Sequence, residues 1–338
     1  MTKMTIAEAL KLAIREEMRR DERVFCIGED IGIEGGFGGA FTVTLGLAEE
    51  FGHDRVLDTP ISEIALAGMA IGSAVAGMRP IADVQYGDFL FCMMDQLANE
   101  APKLRYMSGG QLSVPMVMRA PVGATARGAQ HAQSLEAFFT HVPGLKVVAP
   151  STAYDAKGLL KSAVRDENPV LVFEHKLLYG SKGPRAVEGA ISPVGEVPEE
   201  EYLVPIGKGI IRREGKDVTI VAIHRMLYNA LTAAEELAKQ GIQAEIIDPR
   251  SLVPLDKELI FNSVKKTGRL VIAEEDNLTN GWGAEVAALT ADEIFEYLDA
   301  PIKRVAAPDV PPPFAPVLER EYVPSPTKIV NAALSTMK

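Results

Sequence analysis

With 338 residues, 47% of them hydrophobic, the chain is long enough for two domains with substantial cores, and it has no apolar run near the ~18 residues that span a bilayer. Its formal charge of -11 is spread along the chain and no basic cluster exceeds a few residues, which argues against nucleic acid and anionic membranes as partners. Cys26 and Cys92, each inside an apolar stretch, can build neither a disulfide framework nor a C-x-x-C zinc site and point to a reducing compartment.

Thr5 and Glu8 have capping-box spacing ahead of Ile6, Leu10, Ala13, Ile14 and Met18, which predicts a first helix reaching Arg20. Its acids Glu8, Glu16 and Glu17 are unlike a secretory or organellar leader, so a cytoplasmic protein is expected. Strands are predicted over 24–27, 81–84, 114–118, 145–148 and 170–173, with helices over 62–77, 91–107 and 153–165. Strands apolar on both faces and separated by helices predict an α/β fold with a mostly parallel sheet. The pattern lapses into Pro, Gly and Glu over 183–202, the expected linker. Strands at 218–223, 244–247 and 270–273 and helices at 227–239 and 284–297 predict a second, smaller α/β domain. The Pro-rich stretch 307–316 is expected to be an extended arm.

Glu63 follows Asp58-Thr59-Pro60-Ile61-Ser62 and falls in the first turn of a helix, with Thr59 and Ser62 as capping candidates. From local pattern alone the commoner reading is an acid that favours the helix dipole. The functional reading is a carboxylate at a subunit interface, bonded to a ring nitrogen of a cofactor. The same helix carries Gly68, Gly72 and Ala76 at four-residue spacing, a ridge that lets another helix approach closely, either within the domain or from another subunit. Phe89, in Gln-Tyr-Gly-Asp-Phe, follows a strand, where parallel sheets bind ligands; it is read either as a stacking surface for a flat ring or as a core aromatic. Of five histidines, His131 has the strongest loop context for chemistry, between Gly123 and Gln133; a surface histidine is an equal reading. No partner shares metal-ligand spacing with it. The chain also lacks a Gly-rich phosphate loop, a Gly-x-Ser-x-Gly elbow and a Gly-Asp-Gly, so it is poorly equipped to bind a diphosphate by itself.

Taken in order, Gly28-Glu29-Asp30, Asp58 to Glu63, Asp95-Gln96, Tyr106-Met107-Ser108-Gly109-Gly110, Gln130-His131-Ala132-Gln133-Ser134, Pro143 to Val148, Tyr154 to Leu159 and Leu298-Asp299-Ala300-Pro301 are similar to one family along essentially the whole chain. The chain resembles the beta subunits of the decarboxylating component of pyruvate, branched-chain 2-oxo acid and acetoin dehydrogenase complexes. Ala132 stands where Ser is usual, and the loop from Gly35 to Gly39 is unusually Gly-rich.

The resemblance implies a transketolase-like fold: a thiamine pyrimidine-binding domain over 1–185, a linker over 186–205 and a transketolase C-terminal-like domain over 206–338. It implies an alpha2-beta2 heterotetramer that binds thiamine diphosphate between the two kinds of subunit, with magnesium held by the alpha subunit, and a lipoyl-bearing acyltransferase core as partner. Glu63 would match the glutamate bonded to the aminopyrimidine, Phe89 the aromatic packed on that ring, and His131 the histidine that assists acyl transfer to the lipoyl group. Backbone carbonyls of Met116, Ala163, Val164, Asp166 and Asn168 would match a potassium site of some members. The surroundings of His175 and the stretch 248–252 look most like acetoin or pyruvate members. A transketolase or deoxyxylulose-phosphate synthase half enzyme and a non-catalytic docking subunit are the competing readings; Glu63 and His131 together weigh against the second.

Overall fold

The computed structural model describes residues 1–180 and 193–338, so the first part of the expected linker, 183–192, and the expected domain boundary at 185 lie outside the described residues. Strand β1 (Thr2–Met4) leads into α1 (Ile6–Arg20). The reciprocal bonds foreseen there are present: Thr5 Oγ1 accepts from the Glu8 amide at 3.2 Å, and Glu8 accepts from the Thr5 amide at 2.8 Å. The first half continues with β2 (Val24–Gly28), α2 (Leu47–Phe51), β3 (Val56–Asp58), α3 (Glu63–Val75), β4 (Arg79–Asp83) and α4 (Leu104–Met107), then β5 (Val117–Val122), α5 (Glu136–Thr140), β6 (Lys146–Val148), α6 (Ala153–Arg165) and β7 (Val170–His175). After it come β8 (Gly195–Val197), β9 (Ile210–Arg213), β10 (Val218–Ala222), α7 (His224–Ala238), β11 (Ala244–Asp248), β12 (Ser251–Val253) and α8 (Lys257–Thr267). The chain ends with β13 (Leu270–Asn277), α9 (Trp282–Glu293), β14 (Lys303–Ala307), α10 (Pro316–Tyr322) and α11 (Pro326–Ser335).

These strands form a seven-stranded sheet in the order β12-β6-β7-β5-β4-β2-β3 and a five-stranded sheet in the order β14-β13-β10-β11-β9. Within these two sheets pairing is parallel except at β12 and β9, which run antiparallel on an edge of each, and β1 and β8 pair antiparallel as a separate two-stranded sheet. Strands β2, β5 and β7 are buried along their whole length, which explains why their sequences are apolar on both faces. Helices α1 and α6 pack together on one layer, and α3 packs on β4. Strand β12 comes from the second half of the sequence yet pairs with β6, Ser251 beside Val148, so one edge of the first sheet is closed by the other domain.

The structure departs from expectation between 91 and 107. In place of one helix there is a 3-10 stretch (Gly87–Met93), a π turn (Gln96–Glu100) and α4. Pro102 has no amide to offer Ala98, and the Ala101 amide instead reaches back to the Gln96 carbonyl at 2.9 Å. The strand expected over 114–118 begins three residues later, at Val117. Beyond β14 no regular element forms until α10 opens at Pro316.

A charged cluster sits inside the first sheet. Arg119 of β5, 1% exposed, donates to both oxygens of Glu174 in β7 at 2.9 and 2.6 Å and to Asp83 in β4, while the Tyr179 hydroxyl donates to Glu174 at 2.6 Å. Replacing Arg119 by Met would strand the Asp83 and Glu174 carboxylates without a counter-ion. The expected loss is ~3–5 kcal/mol, read as a lowered urea midpoint.

Candidate active site

The carboxyl ends of the parallel strands lie on one edge of the seven-stranded sheet, where open α/β sheets place their ligands. Glu29 follows β2, Glu63 follows β3, Gln85 to Phe89 follow β4, the loop 123–133 follows β5 and Lys176 follows β7.

Three rings meet there. The His131 imidazole stands edge-on to Tyr86, with centroids 5.0 Å apart and planes at 89°, and to Phe89, at 5.5 Å and 83°. Each of the three residues is half-buried, so the cluster is a packed wall with an open side. The loop that carries His131 is closed by a bond from the Gly123 amide to the Gln133 carbonyl at 3.0 Å, and the Gln133 amide side chain donates to Asp88 at 2.8 Å. Gly123 has φ +94°, and a Cβ there would fall 2.2 Å from His175 Nε2, so the turn tolerates no side chain.

Glu63 lies on the same edge, two strands beyond β4, in the first turn of α3 and half-buried. Its neighbour is Glu29: burial, then the Glu63 and Asp30 carboxylates, push the Glu29 carboxyl above its ordinary range. The Gln85 side chain donates to the Glu29 carbonyl and ties this pair of acids to the loop that carries Phe89. The structure therefore brings Phe89 and His131 into contact and leaves Glu63 further along the edge. The expected caps do not form. Ser62 is the N-cap but makes no side-chain bond, and the buried Thr59 hydroxyl has no hydrogen-bond partner. The outer face of α3 is bare: Ile64 and Met69 are 60% and 53% exposed, and a Cβ built on Gly68 or Gly72 would meet nothing within 4 Å.

The five carbonyl residues of the expected potassium site lie at the other end of the sheet. Met116 precedes β5, Ala163 and Val164 sit in the last turn of α6, and Asp166 and Asn168 are in the turn before β7. A helix C-terminus offers unpaired carbonyls to a cation. Arg79 already donates there, to the Val164 carbonyl at 3.0 Å and the Asp166 carbonyl at 3.2 Å, which leaves each oxygen one further lone pair. A surface groove of about 520 Å³, lined by Pro102, Tyr106, Gly109 and Asn168 among others, opens at this same end, away from Glu63 and His131. Among the described residues no group of three His, Cys, Asp or Glu side chains is placed to hold a metal ion, and no helix is long and apolar enough to cross a membrane.

Sequence reasoning missed the polar seam between the two sheets. His175 Nε2 lies 3.0 Å from Glu275 of β13, and His224 Nδ1 lies 3.3 Å from Glu136 of α5. Burial opposes ionisation of Glu275, yet the His175 ring, the Arg225 guanidinium and the Ala124 amide together bring its carboxyl down to about 2. Tyr86 and Lys176 were missed as well. Nothing in a single sequence marks a lysine at a strand end as buried, and only the fold shows Lys176 to be 1% exposed.

Two family models match: "Transketolase, pyrimidine binding domain" over residues 2–182 and "Transketolase, C-terminal domain" over residues 207–329. The chain is similar to "2-oxoisovalerate dehydrogenase subunit beta" of Bacillus subtilis (strain 168), 47% identical over 334 residues and 98% of each chain. It is also similar to "Acetoin:2,6-dichlorophenolindophenol oxidoreductase subunit beta" of the same organism, 46% identical over 99% of this chain and 97% of that one. A third relative is "Pyruvate dehydrogenase E1 component subunit beta-2, mitochondrial" of Oryza sativa subsp. japonica, 47% identical over 98% of this chain and 85% of that one. Among solved structures, "Split gene transketolase, inactive beta4 tetramer" superposes with a TM-score of 0.78 at 25% identity and covers 99% of both chains.

The seam has a pH signature. Burial, then the Glu136 carboxylate, push the Asp276 carboxyl up to about 8, and one oxygen of each acid is buried without a hydrogen-bond partner. An acid raised in this way contributes stability below its unfolded pKa of 3.8, and that contribution is lost as pH rises through about 8. Asp276→Asn is expected to stabilise the protein by roughly 1–3 kcal/mol at pH 9 and by less at pH 5, measured as urea midpoints at the two pH values.

Proposed function

Because this chain belongs to the transketolase-like family of dehydrogenase E1 beta subunits, we propose that it forms one half of a thiamine-diphosphate site that an alpha subunit completes in an alpha2-beta2 heterotetramer. The assembly acts on a 2-oxo acid or acetoin in the cytoplasm and passes the acyl unit to a lipoyl group of an acyltransferase core. The observation that carries this reading is the contact of Phe89 with His131 on a carboxyl edge that also bears Glu63, in a chain that is similar to E1 beta subunits along its whole length.

The residues on that edge fit the pyrimidine half of the cofactor. The half-buried Glu63 carboxyl, with Glu29 near it, is placed on this edge to meet a ring nitrogen, and Phe89 offers an apolar ring to a flat heterocycle. In this reading the diphosphate and its magnesium would be held by the alpha subunit, and the lack of a Gly-Asp-Gly in this sequence agrees with that division. When bound, thiamine diphosphate supplies the electron sink for breaking a carbon–carbon bond beside a carbonyl. The chain's own share is orientation and proton traffic: Glu63 exchanges a proton with the pyrimidine, Phe89 fixes the plane of that ring, and His131 donates a proton during transfer to the lipoyl sulfur. Potassium at the Val164 and Asp166 carbonyls would share them with Arg79. The bare face of α3, with its open glycines, suits burial against a partner subunit, because apolar surface of this kind is costly to leave in water.

Relatives named for 2-oxoisovalerate, acetoin and pyruvate stand at nearly equal identity, so a few pocket side chains decide the substrate. A transketolase-type half enzyme is the second reading, favoured by the likeness to the split transketolase but at far lower identity.

The test is co-expression with an alpha-type subunit, followed by reduction of an artificial electron acceptor with pyruvate, 2-oxoisovalerate and acetoin, with and without thiamine diphosphate. Cofactor-dependent activity is expected only in the co-expressed sample; a well-formed, cofactor-loaded tetramer inactive on all three would sink the dehydrogenase reading. In the active tetramer Glu63→Ala is expected to lower turnover ~10²–10⁴-fold with assembly intact. His131→Ala should slow lipoyl acylation ~10²-fold or more while acceptor reduction and cofactor loading persist.

A further inference from the structure

Lys176 is the cation at the centre of the clamp that holds the His131 loop. It follows β7 directly and is 1% exposed. Its ammonium donates to the His131 carbonyl at 2.7 Å and lies 5.1 Å from the centre of the Tyr86 ring. Around it stand three acids from three different elements, and each also grips the loop through a hydrogen bond. Asp88, in the turn after β4, accepts the Gln133 side chain at 2.8 Å. Glu275 of β13 accepts the Ala124 amide, and Glu319 of α10 accepts the Ala126 amide. All three carboxylates pull on the Lys176 charge, and Arg127 opposes them. Asp88 Oδ2 is buried with no hydrogen-bond partner, so the nearby ammonium is what offsets its charge.

We propose that Lys176 is the positioning residue of His131: its ammonium holds the His131 carbonyl and balances the three carboxylates, so the loop keeps its catalytic placement only while Lys176 is protonated. This rests on the dehydrogenase reading for its functional meaning, but the clamp itself is a statement about the loop.

Burial outweighs the three acids and brings the Lys176 ammonium down to about 8 from an ordinary 10.5. A lysine lowered in this way loses its proton in the folded protein before the unfolded chain does. Between about pH 8 and 10.5 the unfolded state binds more protons at this group, so its contribution to global stability rises with pH. The alkaline change proposed is local: Lys176 stays enclosed at the end of β7, and a loop that has let go of it holds its ammonium less well than the clamped loop does, so loss of the proton favours release of the loop without unfolding. With Lys176 neutral, the His131 carbonyl loses a charge-assisted donor and Asp88 loses the ammonium that offsets its unpartnered oxygen, while Glu275 keeps His175 and Arg225 and Glu319 keeps Arg225.

Hydrogen–deuterium exchange of the 124–133 amides in the heterotetramer, corrected for intrinsic pH dependence, tests this without any turnover. Wild type is expected to exchange ~10-fold faster at pH 9.5 than at pH 7, Lys176→Met to exchange fast at both, and Lys176→Arg, which keeps its charge, to stay protected at both. In kinetics Lys176→Met should lower kcat with little change in KM, and Lys176→Arg should move the alkaline limb of the kcat profile beyond pH 9.5. Equal protection of the wild-type loop at both pH values, with Lys176→Met exchanging like wild type, would overturn the proposal. If Lys176→Met does not assemble, the wild-type pH series and Lys176→Arg decide it. Inactivity of the wild-type tetramer on every substrate would instead count against the dehydrogenase reading, and the exchange result would still decide the role of Lys176.

Discussion

A parallel sheet covered on both faces has room for polar chemistry chiefly where its strands end. Inside the seven-stranded sheet Arg119 is enclosed by two carboxylates, Asp83 and Glu174, which sit towards the carboxyl ends of their own strands. Everything the chain offers to a flat heterocycle follows from this constraint. The acids after β2 and β3, the rings after β4 and the histidine loop after β5 are neighbours because their strands run in the same direction. Their spacing along the edge is the spacing of the strands themselves.

Much of this architecture was legible in the sequence, for local reasons. Helix α6 shows its apolar stripe and ends at the residue expected, and α1 begins with the capping box that Thr5 and Glu8 announce. Strands buried on both faces are apolar runs, so most were visible to within a few residues. The stretch 91–107 was misread because its apolar periodicity outweighed Pro102, which has no amide to continue a helix: the π turn Gln96–Glu100 ends just before it and α4 starts after it, and the 3-10 stretch Gly87–Met93 lies upstream of its influence. Thr59 and Ser62 were natural capping candidates, but neither side chain caps α3.

The candidate site could be listed from the sequence as a set of residues but not as an arrangement. Phe89 and His131 could be named from loop context and resemblance, but their edge-on contact, and Tyr86 as the third ring, depend on the crossing of two strand-end loops. Lys176 is the clearest omission. Its importance comes from Asp88, Glu275 and Glu319, which lie far away in sequence and in three separate elements, so no local window contains the signal. Two of the three acids belong to the second domain. The position of the histidine loop is thus set in part from across the interdomain seam, where β12 completes the first sheet and Glu275 meets His175.

The open glycines of α3 carry a lesson for how substitutions in this chain should be interpreted. At Gly68 and Gly72 the isolated fold has space for a larger side chain, and helix propensity alone would favour alanine over glycine. A screen that scored these positions by thermal stability of the single chain would class them as tolerant, even improvable. In the heterotetramer proposed above this face of α3 would meet another polypeptide, and a demand for small side chains there would become visible only when the score is taken on the assembled complex.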